Sequence, residues 1–504
     1  MPSKAGACVL LLSLAFEGFA TPKVAKAAGP FVLSDTEVAR LGMEVAWRRS
    51  LPISVQGGTF AGAQLFVDGQ DTFSVCEIVK DGRVVRRLSE RDLDTFGKPW
   101  GSERVGEQAN KLAGKLGPDA SVRTQQVPSI TLFATSSDGY VIALDAETGA
   151  LKWSTAVGTG IGYVAPPAVA KGRVAVAAGS HIFILDSKTG VQLYDRKVDG
   201  APTGRPAIGE RYVMITTTRD RLLGYDLENL NDYPMQRGFA GTPFGGVTQA
   251  SDGSSAVVTD KNQMYFFSGG TEPTILFKFK PSAPLAALPA AVDDRFIAAA
   301  RNGQVYALQN TRAGDILWRN NIGEPVTSRP FVIGDRVFID SAFDRLHALD
   351  LKTGAPLWAR PAAAAGEAIG GDDIQTITLN RSGVMTALES PTGAVIASTR
   401  IAPDTKAISN NQTNRIYLID GMGLLQCLRP VGAILPTVQR STPLVPSEEA
   451  EGTPRSTGRR QDAQPVDADN PFGASDSDTE TQPKTDPFGG DDPFGGDDPF
   501  GGGK

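Results

Sequence analysis

Apolar and turn-forming residues recur along most of this chain at a spacing of close to forty residues. Eight segments align on one apolar anchor position. An apolar residue also stands three positions before every anchor, and a turn former stands five positions before it. These offsets predict a strand with one buried face that begins at a tight turn. The anchors are Leu144, Leu185, Tyr225, Phe267, Leu308, Leu349, Leu388 and Leu428.

A second β-rich run precedes each turn, and a loop followed by an aromatic residue comes after most anchors. Glycine can adopt the left-handed backbone that such a loop needs, and an aspartate can bond the loop backbone. The predicted loop caps are Asp145, Gly149, Asp186, Gly190, Asp350 and Gly354. The aromatics predicted on the outer strands are Trp153, Tyr194, Tyr233, Phe277, Trp318 and Trp358. Three to four strands per forty residues is typical of a β-propeller blade.

The eighth repeat stops at Arg429 and has no outer strand of its own. A matching strand with an aromatic, Trp47, lies near the start of the chain, within Val45–Ile53. Because an open sheet edge is unfavourable, this N-terminal strand is expected to complete the last blade. The predicted fold is therefore all-β, an eight-bladed β-propeller of four-stranded antiparallel blades. A short helix with a Ser34–Glu37 capping box precedes the closing strand.

The repeats define the domain boundaries. Residues 28–53 hold the N-terminal helix and closing strand, and residues 129–430 hold the propeller. The spacing from Trp47 to the first anchor is too long for one repeat, so residues 54–128 are predicted to be an α+β insertion. It has short strands within Ala63–Leu88 and an amphipathic helix over Ser102–Leu116. The insertion is either a partner-binding element or a lid on the propeller's own surface.

Both ends of the chain differ from the repeats. Residues 1–27 resemble a secretory signal, with a basic residue followed by an apolar run and small residues. The alternative is a disordered N-terminus. Residues 431–504 contain 14 acidic and 6 basic side chains, net −8, whereas the whole chain is −6 and the remainder therefore +2. Their Pro, Gly, Ser and Asp content predicts a disordered tail.

The tail ends in a short motif in which a lone phenylalanine follows Asn-Pro or Asp-Pro. Repeated motifs of this kind gain affinity from their tethering, so they are candidate contacts for an adaptor-like partner. The alternative is a solubilising acidic tail without a partner. The four phenylalanines are Phe472, Phe488, Phe494 and Phe500.

Composition excludes several classes of protein. There is no basic stripe suited to nucleic acid. Three cysteines and two histidines exclude zinc fingers, iron–sulfur clusters and disulfide scaffolds. No stretch after the N-terminus is apolar enough to span a membrane.

Cys427 and both histidines fall at ordinary strand positions, and a Cys76–Cys427 disulfide is an open alternative. The aspartates of the loops recur once per blade, so capping explains them without a metal.

The segment Gly139–Trp153 resembles the repeat of the PQQ-like (pyrroloquinoline-quinone-type) propellers, Gly-x-Val-x-Ala-Leu-Asp-x-x-Thr-Gly-x-x-x-Trp. Asp344–Trp358 and Gly303–Trp318 resemble it with small departures. The resemblance implies that the aromatic on each outer strand, Trp47 included, packs one blade on the next. The family includes quinone-dependent dehydrogenases, which use an adjacent-cysteine disulfide, calcium ligands and an aspartate base, and non-enzymatic BamB-like scaffolds. This chain has no Cys-Cys pair.

We therefore expect a non-catalytic, monomeric propeller that binds a protein partner in the cell envelope, exported to the periplasm or the exterior and carrying no cofactor. One alternative is a quinone-dependent dehydrogenase or other small-molecule enzyme, with PQQ and calcium in the central channel. Another is a sensor that binds polysaccharide or peptide. Fold alone does not decide among these functions.

Overall fold

A computed structural model describes residues 32–53, 58–158, 162–270 and 272–439. The chain begins there with α1 (Asp35–Arg40) and β1 (Met43–Ser50). Ser34 caps α1, because its Oγ accepts a hydrogen bond from the Glu37 backbone N–H while the Glu37 carboxylate accepts one from the Ser34 N–H. The remaining elements fall into sheets that we number in chain order.

The first three sheets are formed by residues 60–238. Sheet one contains β2 (Phe60–Lys80), β3 (Arg83–Ser89), β4 (Ala120–Ser136), β5 (Tyr140–Asp145) and β6 (Leu151–Ala156), and α2 (Gly101–Leu116) lies between β3 and β4. Sheet two contains β7 (Ala168–Ala170), β8 (Arg173–Ala178), β9 (His181–Asp186) and β10 (Gln192–Lys197). The next strand is β11 (Gly204–Arg205), followed by sheet three with β12 (Ala207–Ile208), β13 (Tyr212–Thr217), β14 (Arg221–Asp226) and β15 (Met235–Gly238).

The second half of the chain repeats this arrangement. After β16 (Gly245–Gly246), sheet four contains β17 (Thr248–Gln249), β18 (Ser255–Thr259), β19 (Gln263–Phe267) and β20 (Ile275–Phe279). Sheet five contains β21 (Ala290–Val292), β22 (Arg295–Ala299), β23 (Gln304–Gln309) and β24 (Ile316–Asn321). Sheet six contains β25 (Phe331–Ile333), β26 (Arg336–Asp340) and β27 (Leu346–Asp350). Sheet seven contains β28 (Glu367–Gly371), β29 (Gln375–Leu379), β30 (Val384–Glu389) and β31 (Val395–Arg400).

Sheet eight joins the two ends of the described chain. It contains β32 (Lys406–Ile408), β33 (Ile416–Ile419) and β34 (Leu424–Pro430), and β1 pairs antiparallel with β34 as its fourth strand. The pairing runs from Met43 opposite Pro430 to Ser50 opposite Leu424. The N-terminal strand thus lies where the sequence placed it, on the edge of the last sheet.

Strands adjacent in a sheet are antiparallel throughout these eight sheets, which confirms the all-β architecture of antiparallel sheets for the described part of the chain. In each sheet we call the first of the successive paired strands the inner strand, and the strand at the opposite edge the outer strand. The inner strands are β2 in sheet one, β7 in sheet two and so on to β32. The separate ladder of β11 and β16 is parallel and lies beside the inner strands of sheets three and four.

The apolar positions that recur every forty residues are buried in the structure. All eight anchors, and all eight apolar residues three positions before them, are at most 2% exposed. The turn position five residues before the anchor has a positive φ in seven repeats, for example Gly303 and Asp344. In the second repeat the preceding residue, Gly179, takes this conformation instead of Ser180. Glycine, aspartate and asparagine tolerate the left-handed region, so the turn that precedes each third strand forms with little backbone strain.

The apolar core consists of clusters between successive sheets. One cluster joins sheets one and two through Phe133, Trp153 and Phe183, and similar clusters join each sheet to the next. A further cluster joins the last sheet to the first, with Leu425 and Cys427 packed together with Leu132 and Ile142. Each sheet therefore buries both of its faces against neighbours, which is the packing expected when strands read as nearly continuous apolar runs.

Sheet six differs from the predicted four strands. Its β27 has no regular outer partner, and only the bridges Leu349–Pro356 and Leu346–Ala362 hold the following segment against it. Pro356 and Pro361 interrupt this stretch, and proline cannot donate to a strand ladder. Trp358 therefore sits in an irregular segment instead of an outer strand.

The insertion begins later than the sequence indicated. The predicted insertion is residues 54–128, yet Phe60–Asp68 pair with Ser129–Ser136 and form the inner part of sheet one. The expected short strands are one long strand, β2, whose far half continues to Lys80 beside β3 and β4. On this extension α2 buries Val105, Ala109 and Ala113 against a small cluster that includes Cys76. The predicted helical face is thus the packed one.

The body of the protein also extends past the predicted boundary at residue 430. Residues 431–439 run back against sheet eight, where Thr437 N–H donates to Asn414 Oδ1 and Gln439 N–H donates to the Gln412 carbonyl. Val438 packs against the cluster between sheets eight and one. These contacts are non-local, and the composition of the segment does not reveal them.

Candidate functional site

Four tryptophans occupy the same position at the junctions between sheets. The indole N–H of Trp153 donates to the Ser187 carbonyl in the loop of the next sheet at 3.0 Å, and Trp318 donates to Leu351 at 2.9 Å. Trp47 and Trp358 make the same bond to Ala146 and Ser390. Each ring lies over the glycine of that loop so closely that a Cβ there would approach the ring to less than 3.0 Å. Each of these four junctions therefore pairs a tryptophan with a glycine whose missing side chain leaves room for the ring.

The aspartates that begin these loops bond the loop backbone. Asp145 Oδ1 accepts from the Glu147 and Thr148 N–H groups and from the Thr148 hydroxyl. Asp186 and Asp350 accept the equivalent three bonds. Hydrogen bonds from the Thr189 backbone and hydroxyl lower the pKa of Asp186. Gly149, Gly190 and Gly354 all have φ near +70°, so the loops close without strain.

The other predicted aromatics differ among themselves. Phe277 stacks on Phe266 at 4.2 Å between ring centroids and lies over Gly314 as the tryptophans lie over theirs. Tyr194 is half-buried against Tyr225. Tyr233, in contrast, is 94% exposed, so its prediction as a packing aromatic is wrong. The loop before sheet three's outer strand is longer and contains Pro234, and Met235 takes the packed position over Gly224.

The junction between sheets eight and one contains a buried charge at a position that no sequence pattern marks. Arg415 is 0% exposed, and its guanidinium bonds Glu147 with Nη2–Oε2 at 2.8 Å. The same group donates to the Ile434 carbonyl and to Asn414 Oδ1. Burial raises the pKa of Glu147, and the Arg415 charge opposes that increase. The first sheet's loop is thereby tied to the last sheet and to the segment after it.

Cysteines and histidines occupy structural positions. Cys76 and Cys427 are both free and buried, in different clusters, so the alternative of a disulfide between them does not hold. Burial raises the pKa of the Cys427 thiol, which makes it a poor nucleophile. His181 Nδ1 lies 2.6 Å from Asp195, and His347 Nε2 lies 3.5 Å from Glu324.

Exposed apolar side chains lie at both ends of the sheets, with Ile374 and Val395 among those at one end. The turns between second and third strands and the loops leading from each outer strand to the next sheet lie together at the other end, because the strands are antiparallel. Among the larger exposed residues there are Tyr163, Phe244, Phe343 and Met422, of which Met422 is 79% exposed. We call these four residues, which lie on four separate turns or loops, the turn-face patch. Such residues favour a protein contact, since interfaces are enriched in aromatics and methionine.

Two further observations concern the described residues alone. No group of three or more histidine, cysteine, aspartate or glutamate side chains there is arranged to hold a metal ion. No helix in that part of the chain has the length and apolar character needed to cross a membrane. The predicted linear-motif residues Phe472, Phe488, Phe494 and Phe500, and the predicted signal segment, lie outside the described residues.

Repeated sheets joined by tryptophan-over-glycine junctions, with the Asp-x-x-Thr-Gly loop between third and outer strands, define the class of PQQ-like repeat proteins. Within that class the chain belongs to the family described as outer membrane protein assembly factor BamB. The family model matches residues 42–231, 92–271 and 243–418, overlapping segments that together cover most of the chain.

Individual relatives are distant. The outer membrane protein assembly factor BamB of Yersinia pestis is 25% identical over 255 residues, which span 46% of this chain and 64% of that protein. That of Salmonella typhimurium is 27% identical over 257 residues, 45% of this chain and 63% of that one. The chain thus matches less than two thirds of the length of these relatives.

Two solved structures align with this chain at low sequence identity. BamB from Moraxella catarrhalis aligns with 15% identity and a TM-score of 0.45, over 59% of this chain and 91% of that one. The computationally designed Ika8 protein aligns with 13% identity and a TM-score of 0.47, over 59% of this chain and 92% of that one.

Proposed function

We propose that the chain is a closed, eight-bladed propeller that acts as a non-catalytic, protein-binding scaffold in the cell envelope. Three features support closure of the ring. The N-terminal β1 completes sheet eight, a shared core cluster joins sheets eight and one, and the buried Arg415–Glu147 pair links the same two sheets. A scaffold of this form holds its loops in fixed positions, which suits it to present a rigid binding face.

The turn-face patch is the observation that carries the scaffold function. Phe343 is 63% exposed and Met422 79%, on turns of sheets six and eight that are otherwise well ordered by backbone hydrogen bonds. Large apolar side chains fixed on short turns gain more from contact with a partner than from water. The family relation to outer membrane protein assembly factors makes an envelope protein engaged in that assembly the proposed partner.

Site-specific photo-crosslinking tests this function. A photoreactive amino acid placed at Phe343 or Met422 in the full chain, expressed in its own host, is expected to yield a discrete crosslinked band. Mass spectrometry should identify an envelope protein in it. The matched control is Ile316, an apolar residue of similar exposure at the start of an outer strand, which belongs to the opposite end of the sheets.

Equal crosslinking at Ile316, or no crosslink from the turn face in cells that contain the partner machinery, would contradict the proposal. A second measurement addresses the role itself: cells lacking the gene should contain less correctly assembled outer membrane protein. Restoration by Phe343→Ser with Met422→Ser as fully as by the unaltered gene would remove the turn face from that role.

The same proposal includes export to the envelope, with a signal at residues 1–27. It also includes a partner-binding role for residues 431–504. The insertion, which is built on the extension of β2 and β4, is proposed as a second contact element. Its exposed Leu93 and Phe96 lie in the loop before α2, and Phe96 is 85% exposed.

A further inference from the structure

The loop between β3 and α2 holds Phe96 in solvent at the tip of a fixed turn. The Gly97 N–H donates to the Asp94 carbonyl at 3.0 Å, which closes a four-residue β-turn with Thr95 and Phe96 at its centre. The Asp94 N–H donates in turn to the Lys98 carbonyl at 2.8 Å. Gly97 has a φ of +75°, the left-handed position that ends a three-residue hairpin loop of this kind. The Phe96 side chain is 85% exposed at this tip.

The Asp94 side chain fixes this turn from within. Its Oδ1 accepts hydrogen bonds from the Phe96 N–H at 2.8 Å and from the Lys98 N–H at 2.9 Å. Its Oδ2 lies 3.3 Å from Arg104 Nη1 on α2. The hydrogen bond from the Lys98 backbone lowers the pKa of Asp94, so the carboxylate stays ionised at neutral pH. A phenylalanine ring presented on such a turn loses little conformational freedom when a partner binds it.

The sequence of this turn recurs near the end of the chain, outside the described residues. Asp94–Gly97 reads Asp-Thr-Phe-Gly, and the tail contains Asn-Pro-Phe-Gly once and Asp-Pro-Phe-Gly three times. Aspartate or asparagine at the first position, proline at the second and glycine at the fourth are the residues favoured in a type I β-turn. The chain therefore carries the motif Asp/Asn-x-Phe-Gly five times, once in the insertion and four times in the tail. The tail copies are Asn470–Gly473, Asp486–Gly489, Asp492–Gly495 and Asp498–Gly501.

One further Phe-Gly pair shows that the first residue belongs to the motif. Thr242–Gly245 reads Thr-Pro-Phe-Gly, with threonine in place of the aspartate or asparagine. Its backbone is part of a strand arrangement, because the Phe244 N–H donates to the Val258 carbonyl at 3.1 Å and Gly245 begins β16. Pro-Phe-Gly alone therefore does not specify the turn. Aspartate and asparagine do favour it, since their side chains accept hydrogen bonds from the backbone two residues on.

Aspartates accompany the phenylalanine in both settings. Asp92 is exposed two positions before Asp94, and an aspartate directly precedes the first residue of three of the four tail motifs. A partner that recognises this motif needs an apolar pocket for the ring and basic groups at the rim that face the carboxylates.

We infer that the insertion and the tail bind the same partner protein, which takes the phenylalanine of an Asp/Asn-x-Phe-Gly motif into an apolar pocket with a basic rim. The Asp94–Gly97 turn supplies one contact of fixed orientation. The tail motifs add tethered contacts, which raise the affinity through their effective concentration. This inference rests on the proposed scaffold function, and it names the chemistry by which the insertion and the tail would serve that function.

Competition against a photo-crosslink tests this inference in envelopes isolated from the protein's own host. A photoreactive phenylalanine derivative replaces Phe96 in one full-length variant and Phe494 in another. Mass spectrometry should identify the same crosslinked protein in both. The synthetic peptide of residues 485–504, which holds three motifs, should lower the crosslink yield at position 96 by about tenfold or more, because it occupies the same pockets. The same peptide with its three phenylalanines replaced by alanine is the matched control and should leave the yield unchanged.

Two substitutions in the loop test whether the turn itself is recognised. Thr95→Pro gives the loop the sequence of the tail motif, and the Thr95 N–H makes no hydrogen bond among the described residues, so this variant should keep the crosslink at position 96. Gly97→Val should lower the yield, because valine disfavours a φ of +75° although a Cβ there meets no atom within 4 Å. Tyr233, 94% exposed and outside any motif, is the control position and should give no crosslink that the peptide removes.

The inference is overturned if position 96 gives no crosslink, if positions 96 and 494 crosslink different proteins, or if the peptide leaves the crosslink at position 96 unchanged. Loss of that crosslink in a folded Thr95→Pro variant, or equal yields with Gly97→Val and the unaltered loop, also overturns it. Failure of the scaffold function would appear separately, as the absence of a crosslink from Phe343 and Met422.

Discussion

At the level of single residues, the junction between sheets depends on the absence of a side chain. Gly190 is buried, has a φ of +71°, and would place a Cβ 2.5 Å from the Trp153 ring. Gly190→Ala should therefore destabilise the protein by about 3 kcal/mol, from backbone strain and from the clash with the indole. Unfolding in urea, followed by tryptophan fluorescence, measures this change.

Gly172→Ala separates the two contributions. Gly172 has nearly the same φ, +68°, but a Cβ there meets no atom within 4 Å. It should cost only about 1 kcal/mol, the strain of a left-handed alanine. Equal losses in the two variants would mean that the tryptophan contact is not what makes the loop glycine necessary.

Asp340 provides a pH-dependent test at the same scale. Burial, together with the negative charges of Asp344 and Glu367 and against the opposing charge of Arg381, raises the pKa of Asp340 from 3.8 to about 6. The folded state then binds a proton that the unfolded state does not, so this group's contribution to stability falls as pH rises from about 4 through 6. Above that window the ionised, 5% exposed carboxylate destabilises the fold.

Asp340→Asn should consequently be more stable than the unaltered protein by about 2 kcal/mol at pH 8, with the difference vanishing near pH 4. Paired urea titrations at both pH values measure it. A difference that is the same at both pH values would show that the substitution acts through packing and not through ionisation.

At the level of elements, the pairing of β1 with β34 can be tested by a cross-link. Directly opposed residues of antiparallel strands have Cα atoms about 4.5–5.5 Å apart, within the range of a disulfide. Ser50 lies opposite Leu424. Ser50→Cys with Leu424→Cys should oxidise to one disulfide, detected by peptide mass, and raise stability by about 3 kcal/mol.

Ser50→Cys with Ile316→Cys serves as the control, because Ile316 belongs to the outer strand of sheet five. This pair should stay reduced under the same oxidising conditions. Cys76 and Cys427 are buried and should not interfere. A disulfide formed equally by both pairs, or by neither, would contradict the observed register.

The strands were predictable from sequence because each carries its own repeated pattern. The anchors, the turn residues and the Asp-x-x-Thr-Gly loops are local signals, and β1 was identifiable as the missing outer strand through Trp47. The prediction of Tyr233 as a packing aromatic is wrong because the loop before that outer strand is longer and contains a proline. Met235 therefore takes the packed position. The buried Arg415–Glu147 pair could not be predicted, since its residues lie 268 positions apart in the chain and no spacing records that contact.

At the level of the whole molecule, the boundary of the folded body can be measured by truncation. Removal of residues 447–504 should leave the free energy of unfolding unchanged, because their Pro, Gly, Ser and Asp content is that of a segment that does not contribute to an apolar core. Removal of residues 431–504 should cost about 3 kcal/mol, since it also deletes the hydrogen bonds made by residues 434–439, each worth about 1 kcal/mol. Equal stability of the two truncations would place residues 431–439 outside the folded body.

The strand shared by the two ends of the chain also governs when the protein can fold. Of the described strands, β1 is synthesised first and its partner β34 last. Until then the last sheet lacks its neighbour and the first lacks one side of its core. The nascent chain therefore remains without its complete tertiary structure for most of translation, a state compatible with threading through a translocation pore before it folds on the far side.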